Sequence, residues 1–259
     1  MFDTHCHLNY ETFDKTLASV IQSARDGGVK NIVIPGTDLV SSKKALEISE
    51  DYDGFYFAAG IHPTELLDDI DLSNASYKLE EILKSSLKAV AVGETGLDYY
   101  KPLSSERLQK LFFKMHISLA RKLGMSLIIH TRHSTDDMLS TLSENWSDSL
   151  IGKTVFHCAS PEKSLLDFAL TKRIYLGFDG DLTYDSVKQE FIQDVPIELL
   201  VVETDSPFLT PEPVRSIKRF PNEPKNVQLV AQKIAEIKGL SFDEVVKVTS
   251  DNGKRLFNL

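Results

Sequence analysis

Eight short runs of β-branched and apolar residues punctuate the chain: Phe2-Asp3-Thr4, Ile32-Val33-Ile34, Phe55 to Ala59, Ala89 to Val92, Leu127 to Ile129, Thr154 to Phe156, Ile174 to Leu176 and Leu199 to Val202. Runs this short, rich in residues that suit extended backbone, read as buried strands. Between most of them the apolar positions recur with helical spacing. Over 108–123, for example, Leu108, Leu111, Phe112, Met115, Leu119 and Leu123 share one helical face, and Gly124 follows as a C-cap residue. The same pattern predicts helices over 226–237 and 242–257, with Ser241 and Glu244 spaced as a capping box for the last one. With run ends at residues 5, 36, 62, 94, 130, 157, 178 and 205, successive ends lie 21 to 36 residues apart. A strand-helix unit of about 30 residues, repeated eight times, predicts a (β/α)8 TIM barrel.

A chain of 259 residues fits one such barrel, and no Pro/Gly/Ser-rich linker divides it, so residues 1–259 are expected to form one domain. No apolar stretch approaches the length of a membrane span. The first run begins at Phe2, so no signal peptide is expected. Two cysteines, Cys6 and Cys158, cannot make a disulfide framework, which points to a reducing cytoplasmic setting. Phosphate loops, paired-cysteine zinc motifs and Gly-x-Ser-x-Gly elbows are missing.

The chemistry lies at the run ends. His5, His7, His62, Glu94, His130, His157 and Asp205 all stand at or just past one. In a TIM barrel the strand C-termini converge on one face, and that face holds the active site. Six candidate metal ligands distant in sequence (His5, His7, Glu94, His130, His157 and Asp205) are therefore expected to meet in one pocket. Any one of these histidines could be a hydrogen-bonded, partly buried side chain; the joint placement favours a metal site. The i, i+2 spacing of His5 and His7 puts both rings on one side of an extended strand. Cys6 then faces the helix layer, and Asp3 shares the histidine face one pleat deeper. Alternation turns Val90, Val92 and Glu94 inward.

A carboxylate between two cations can bridge them, one oxygen each, at a separation of about 3.5–4 Å. In that reading His130 and His157 serve one cation and His5 and His7 the other, with Glu94 between. Asp205 can ligate a metal and accept a proton from water, the pairing a hydrolytic site needs. Nitrogen-rich sites suit zinc, manganese, nickel or iron, and magnesium less naturally. Glu203, one pleat below Asp205, reads as an acid that orients ligands. His62 either contacts substrate or protonates a leaving group, or is a loop histidine beside the site. His116 reads as structural, His133 as rim or plain surface, and Trp146 as packing. Arg132 is either a phosphate clamp or a partner in a salt bridge.

Charge sharpens the substrate question. With 29 Lys and Arg against 38 Asp and Glu, the chain carries −9, which argues against a broad basic surface gripping nucleic acid. A nucleic-acid enzyme stays possible, because bound cations place positive charge where phosphate sits. Residues 211–226 are locally basic: Arg215, Lys218, Arg219 and Lys225 oppose Glu212 and Glu223, a balance of +2. This loop follows the eighth run and is expected on the histidine face, which makes Arg215, with Arg132, a candidate substrate-binding residue.

These residues also fall into recognisable blocks. His5-x-His7-Leu8, Gly60-Ile61-His62-Pro63, Gly93-Glu94-Thr95-Gly96-Leu97-Asp98-Tyr99-Tyr100, His130-Thr131-Arg132, His157-Cys158 and Glu203-Thr204-Asp205-Ser206-Pro207-Phe208-Leu209 resemble TatD-type deoxyribonucleases, as do Asn222-Glu223-Pro224 and the tail from Thr249 to Phe257. The resemblance runs in order along almost the whole chain. It implies a barrel of the amidohydrolase type with two divalent metals, held by His5, His7, Glu94, His130, His157 and Asp205 with Glu94 bridging. It further implies hydrolysis of DNA phosphodiesters, commonly from the 3′ end of single strands, by a hydroxide activated at the metals. Asp205 would handle the proton of the attacking water. Two positions depart from the family pattern: His133 replaces an aspartate, and Ala159 stands where an aromatic residue is usual. Two rival readings are a hydrolase of a small ester, lactone, amide or aminoacyl bond on the same scaffold, and a non-catalytic scaffold that holds metal for stability. No membrane and no obligate protein partner are expected.

Overall fold

Parallel strands cannot be joined by a tight hairpin; each needs a crossover, and here the amphipathic segments supply it. The computed structural model describes residues 1–67, 70–100, 102–218 and 220–259. Its strands are β1 (Phe2–Asp3), β2 (Asn31–Pro35), β3 (Phe55–Ala59), β4 (Ala89–Asp98), β5 (Ser126–Arg132), β6 (Thr154–Phe156), β7 (Tyr175–Phe178) and β8 (Leu200–Val202). They pair in sequence order, all parallel. The sheet curls back on itself: Thr4 N–H donates to Val202 O at 3.1 Å and His7 N–H to Ser206 O at 2.8 Å. Helices α1 (Leu17–Asp26), α2 (Leu39–Asp51), α3 (Leu72–Lys84), α4 (Glu106–Leu123), α5 (Thr135–Glu144), α6 (Lys163–Lys172) and α7 (Ser186–Asp194) follow the first seven strands in turn. After β8 come a short α8 (Val214–Ile217), then α9 (Val227–Lys238) and α10 (Phe242–Phe257). This is the expected (β/α)8 barrel. Among the described residues no helix is long and apolar enough to cross a membrane.

Period-two alternation builds two apolar layers. Val33, Ala58, Ala91, Ile128, Val155, Tyr175 and Val201 fill the barrel, closed below by Phe2, Leu256 and Phe257. Ile32, Ile34, Phe57, Val92, Leu127, Ile129, Phe156, Leu176 and Val202 turn outward against the helices. Each buried valine, leucine, isoleucine or phenylalanine among them contributes roughly 1.5–3 kcal/mol.

Two placements differ from the alternation read off the sequence. On β4 Val90 joins the inner cluster as expected, but Ala91 joins it too, while Val92 packs in the helix layer beside Leu127. Glu94 still reaches the interior because the β4–β5 register shifts between Val92 and Thr95. Gly93, at φ +147°, allows that shift: a Cβ there would lie 2.8 Å from Ile128 Cβ. Secondly, the Asp3 carboxylate meets the His5 backbone N–H at 3.4 Å but turns to Thr204 rather than to the ring nitrogens. Strand β1 is two residues long, and the Asp3 carboxylate accepts from Thr204 N–H at 2.9 Å and Thr204 Oγ1–H at 2.6 Å. Cys6 is buried in the outer layer as expected. Helix ends follow their signals. Gly124 ends α4 in the left-handed region at φ +67°, and the Ser241 hydroxyl accepts from Glu244 N–H at 3.2 Å, which is one of the two capping-box bonds.

Candidate metal centre

The strand ends deliver their polar side chains to one point. His5 and His7 follow β1, His62 follows β3, Glu94 and His130 stand within β4 and β5, His157 follows β6, and Asp205 lies beyond β8. Glu94 sits in the middle, 2% exposed, its backbone N–H donating to Gly36 O at 3.0 Å. Its two oxygens face different partners. Oε2 lies 3.3 Å from His5 Nε2 and 3.5 Å from His7 Nε2. Oε1 lies 3.1 Å from His130 Nδ1, 3.1 Å from His157 Nε2 and 3.4 Å from His62 Nε2. Asp205 Oδ1 approaches the first side, 3.6 Å from His5 Nε2 and 3.5 Å from His7 Nε2. All six candidate ligands and His62 are thus brought together.

The outer nitrogens decide which way the rings face chemically. His7 Nδ1 contacts Pro35 O at 3.2 Å, His130 Nε2 contacts Asp98 Oδ2 at 3.1 Å, and His157 Nδ1 contacts Glu203 Oε1 at 3.2 Å. A carbonyl or carboxylate oxygen only accepts, so in each pair the ring must donate. In a neutral ring the inner nitrogen then carries a lone pair, aimed at a carboxylate oxygen. Acceptor against acceptor in a buried site is unfavourable unless a cation lies between. His5 and His7 Nε2 stand 3.1 Å apart, close to the roughly 3.3 Å spacing of two ligands on a tetrahedral ion with 2.0–2.1 Å bonds. The donor set therefore fits divalent metal. Among the described residues four groups have ligand atoms within 4.8 Å of one another, and three of them belong to this cluster: His5, His157 and Asp205; His5, His7 and Glu94; and His62, Glu94 and His130.

His62 is chemically distinct. Its Nδ1 accepts from Thr64 N–H at 3.2 Å, so the neutral ring carries its proton on Nε2 and presents a donor to the site.

Charge preferences tell the same story. Burial holds His5 and His62 below the usual imidazole range, assisted by neighbouring rings. Burial also opposes charge on His7, but Asp205 and Glu94 outweigh it and raise that ring to about 9. His130 is raised against burial by Asp98 and Glu94, and His157 well raised by Glu94 and Glu203. Burial alone would raise Glu94, yet the rings of His157, His62 and His5 hold it well below the usual carboxylate range. The pocket calls for positive charge.

Above the cluster is a cavity of about 120 Å³, walled also by Tyr10, Thr37, Thr64, Glu65 and Phe208. A larger groove of about 650 Å³ lies between α2 and α3, lined by residues such as Leu39, Leu46 and Ile82, and contains none of the clustered side chains. The chemistry marks the smaller one. Asp98 and the five wall residues had no role in the sequence reading. Asp98 stands in the segment Gly93 to Tyr100, but its pairing with His130 depends on how β4 and β5 align.

The other predicted residues fall outside the cavity. Arg132 is exposed at the rim, its guanidinium 3.9 Å from the Tyr100 ring centre. His133, also exposed, lies 5.1 Å from the same ring. Arg215, on α8, pairs with Glu212 at 3.5 Å and stacks 4.3 Å over Tyr184. Arg219 lies outside the described residues. Ala159 is fully buried and does not line the cavity. His116 is buried within α4, accepting from Ile61 N–H at 3.0 Å and donating to Phe112 O at 2.7 Å. Trp146 packs edge-on against Phe168.

A sequence model of the family TatD related DNase matches residues 2–258. The chain belongs to the TatD family. A relative, the uncharacterized metal-dependent hydrolase YabD of Bacillus subtilis, is 38% identical over 261 residues, covering 100% of this chain and 99% of that protein. The human deoxyribonuclease TATDN3 is 27% identical over 267 residues, covering 99% of this chain and 94% of its own. Among solved structures, the TatD homologue YJJV of Escherichia coli superposes with a TM-score of 0.90 at 26% identity, covering 100% and 98% of the two chains. This TatD chain is a metal-dependent hydrolase.

Proposed function

We propose that this chain hydrolyses DNA phosphodiesters with two divalent cations held on either side of Glu94. The observation that carries the reading is the division of labour on that carboxylate: one oxygen faces His5 and His7, the other His130 and His157. Asp205 completes the His5 and His7 side. Two bound cations would offset charge on the phosphoryl oxygens and acidify the attacking water.

The protein groups have separate tasks. Asp205, held ionised by its histidine neighbours against the effect of burial, accepts the proton of the water. His62 turns Nε2–H toward the reacting group, where it donates to a phosphoryl or leaving oxygen. Asp98, Glu203 and Pro35 O fix three ring tautomers, so the lone pairs are in place before substrate arrives. Arg132 and Arg215 meet the strand at the rim. A DNA substrate is supported by the deoxyribonuclease names of the human and mouse relatives. Both cysteines are free, in keeping with a cytoplasmic setting, and the matched span is in keeping with one domain over 1–259.

The small cavity gives one specific reason to weigh a second reading, hydrolysis of a small ester, lactone, amide or aminoacyl bond. Ligand pockets usually run to about 300–1,000 Å³. A strand that lays only its scissile phosphate in the cavity meets the same constraint. Metal-stripped protein reloaded singly with zinc, manganese, nickel, iron or magnesium separates the two, assayed on end-labelled single-stranded DNA, a lactone and an aryl ester. Metal-dependent shortening of the DNA is expected. Turnover of only the lactone or ester would overturn the nuclease reading.

A further inference from the structure

A chain of aromatic rings leads out of the metal centre along one wall. The His7 ring lies 5.2 Å from Tyr10, Tyr10 lies 5.4 Å from Phe208 with their planes at 90°, and Phe208 lies 6.3 Å from Phe220. Tyr10 and Phe208 line the cavity itself. Phe208 is 40% exposed and Phe220 51% exposed, so large ring surfaces stand in water beside the site.

The segments that carry the rings are tied down. Phe208 N–H donates to Asp205 O at 2.9 Å, which ties the first exposed ring to a candidate ligand. Asn222, fully buried, clamps the segment that carries Phe220: its N–H donates to Pro207 O at 2.8 Å and its Nδ2 to Thr204 O at 3.0 Å. The backbone beside both rings is thus hydrogen-bonded to the segment that follows β8, and a ligand stacked on them loses less to ordering the loop. Rings that merely packed together would hide their surface, whereas these leave much of it open.

We infer that Tyr10, Phe208 and Phe220 form a stacking track for unpaired nucleobases of the strand whose phosphate enters the metal centre. The inference rests on the DNA reading and assigns a preference for single strands or frayed ends to these three rings, because a base inside a duplex offers no free face. Stacking accepts every base, since each has a π-face, so the track confers strandedness without sequence preference. It acts on the bases, whereas Arg132 and Arg215 act on the backbone.

The test is a cycle between ring and base, run with metal-loaded enzyme. One substrate is an all-thymidine single strand; its twin carries an abasic residue next to the cleaved bond and so keeps the backbone charge. For the wild type, loss of the base is expected to raise KM by about 10-fold with little change in kcat. F208A and F220A should raise KM for the intact strand by a similar factor, show no further penalty on the abasic strand, and leave kcat near wild type. F208W should restore the preference. Wild type that cleaves both strands with equal KM, or F208A that still discriminates as wild type does, would overturn the track and leave the nuclease reading standing. Wild type that cleaves neither strand but turns over a small ester would overturn both.

Discussion

His157 Nδ1 donates to Glu203 Oε1 across 3.2 Å, joining two residues 46 apart in sequence. The same oxygen accepts the Cys158 backbone N–H at 2.6 Å, and Glu203 is almost wholly buried. The ring behind Glu94 thus owes its orientation to an acid that does not itself face the cavity. Removing it with Glu203→Ala is expected to weaken metal affinity by about 10–100-fold while the fold persists. Gly177→Ala should act in the same direction, because a Cβ there would lie 2.6 Å from Glu203 Cδ. Metal titration of the stripped variants checks both; wild-type affinity in Glu203→Ala would remove Glu203 from the centre.

Asp205 and Glu94 are both carboxylates, yet they should fail differently. Asp205→Asn keeps size and one oxygen but cannot take a proton, so turnover is expected to fall by roughly 10²–10⁴ with metal content little changed. Glu94→Ala removes the oxygen facing each histidine group at once, and turnover and one or both ions should be lost together. Metal counting beside kcat distinguishes the two. Parallel loss of metal and rate in Asp205→Asn would leave Asp205 a ligand only.

The strand-helix rhythm and the convergence of the site were legible because both follow from local rules. Spacing near 30 residues per unit places His5, His62, His130, His157 and Asp205 at strand ends whatever the side chains around them do. The route of Glu94 inward was not legible. It depends on a register shift that alternation cannot express, permitted by Gly93 lying against Ile128. The partners Asp98 and Pro35 O were equally hidden, since each pairing joins neighbouring strands in three dimensions. Asp3 was misplaced for a related reason: with β1 only two residues long, side-chain parity does not carry through to the histidines. The aromatic wall was invisible for want of any pattern, because Tyr10, Phe208 and Phe220 come from two separate loops.

His116 supplies a pH signature of stability. Burial drives its pKa down to about 4, and its ring accepts from Ile61 N–H in the loop that carries His62. The unfolded chain protonates this residue near 6.5, well before the folded one. Its stabilising effect is therefore complete above that pH and is lost as pH falls toward 4. Between pH 7.5 and 5 the loss from this group is roughly 2 kcal/mol. Urea unfolding at the two pH values, in the same metal state, should show wild type losing about that much more than His116→Gln. Equal losses would mean that His116 titrates normally.

Arg132 offers the sharpest separation of polyanion from small substrate. Its guanidinium lies over the Tyr100 ring, 3.9 Å from its centre, and has no acidic partner among the described residues, whereas Arg215 is already engaged by Glu212. A stacked, unpaired cation at the rim is free to meet a phosphate, and each such contact releases counterions from the strand. Arg132→Glu is therefore expected to lower kcat/KM on single-stranded DNA more than Arg215→Glu does. It should also flatten the plot of log kcat/KM against log salt by about 0.7 per lost contact. A minimal phosphodiester that reaches only the metals should show little salt dependence in any variant. Measuring both substrates at several salt concentrations, in wild type and both variants, decides the matter. Indistinguishable slopes throughout would mean that no strand crosses this rim, and would shift the weight to the small-substrate hydrolase.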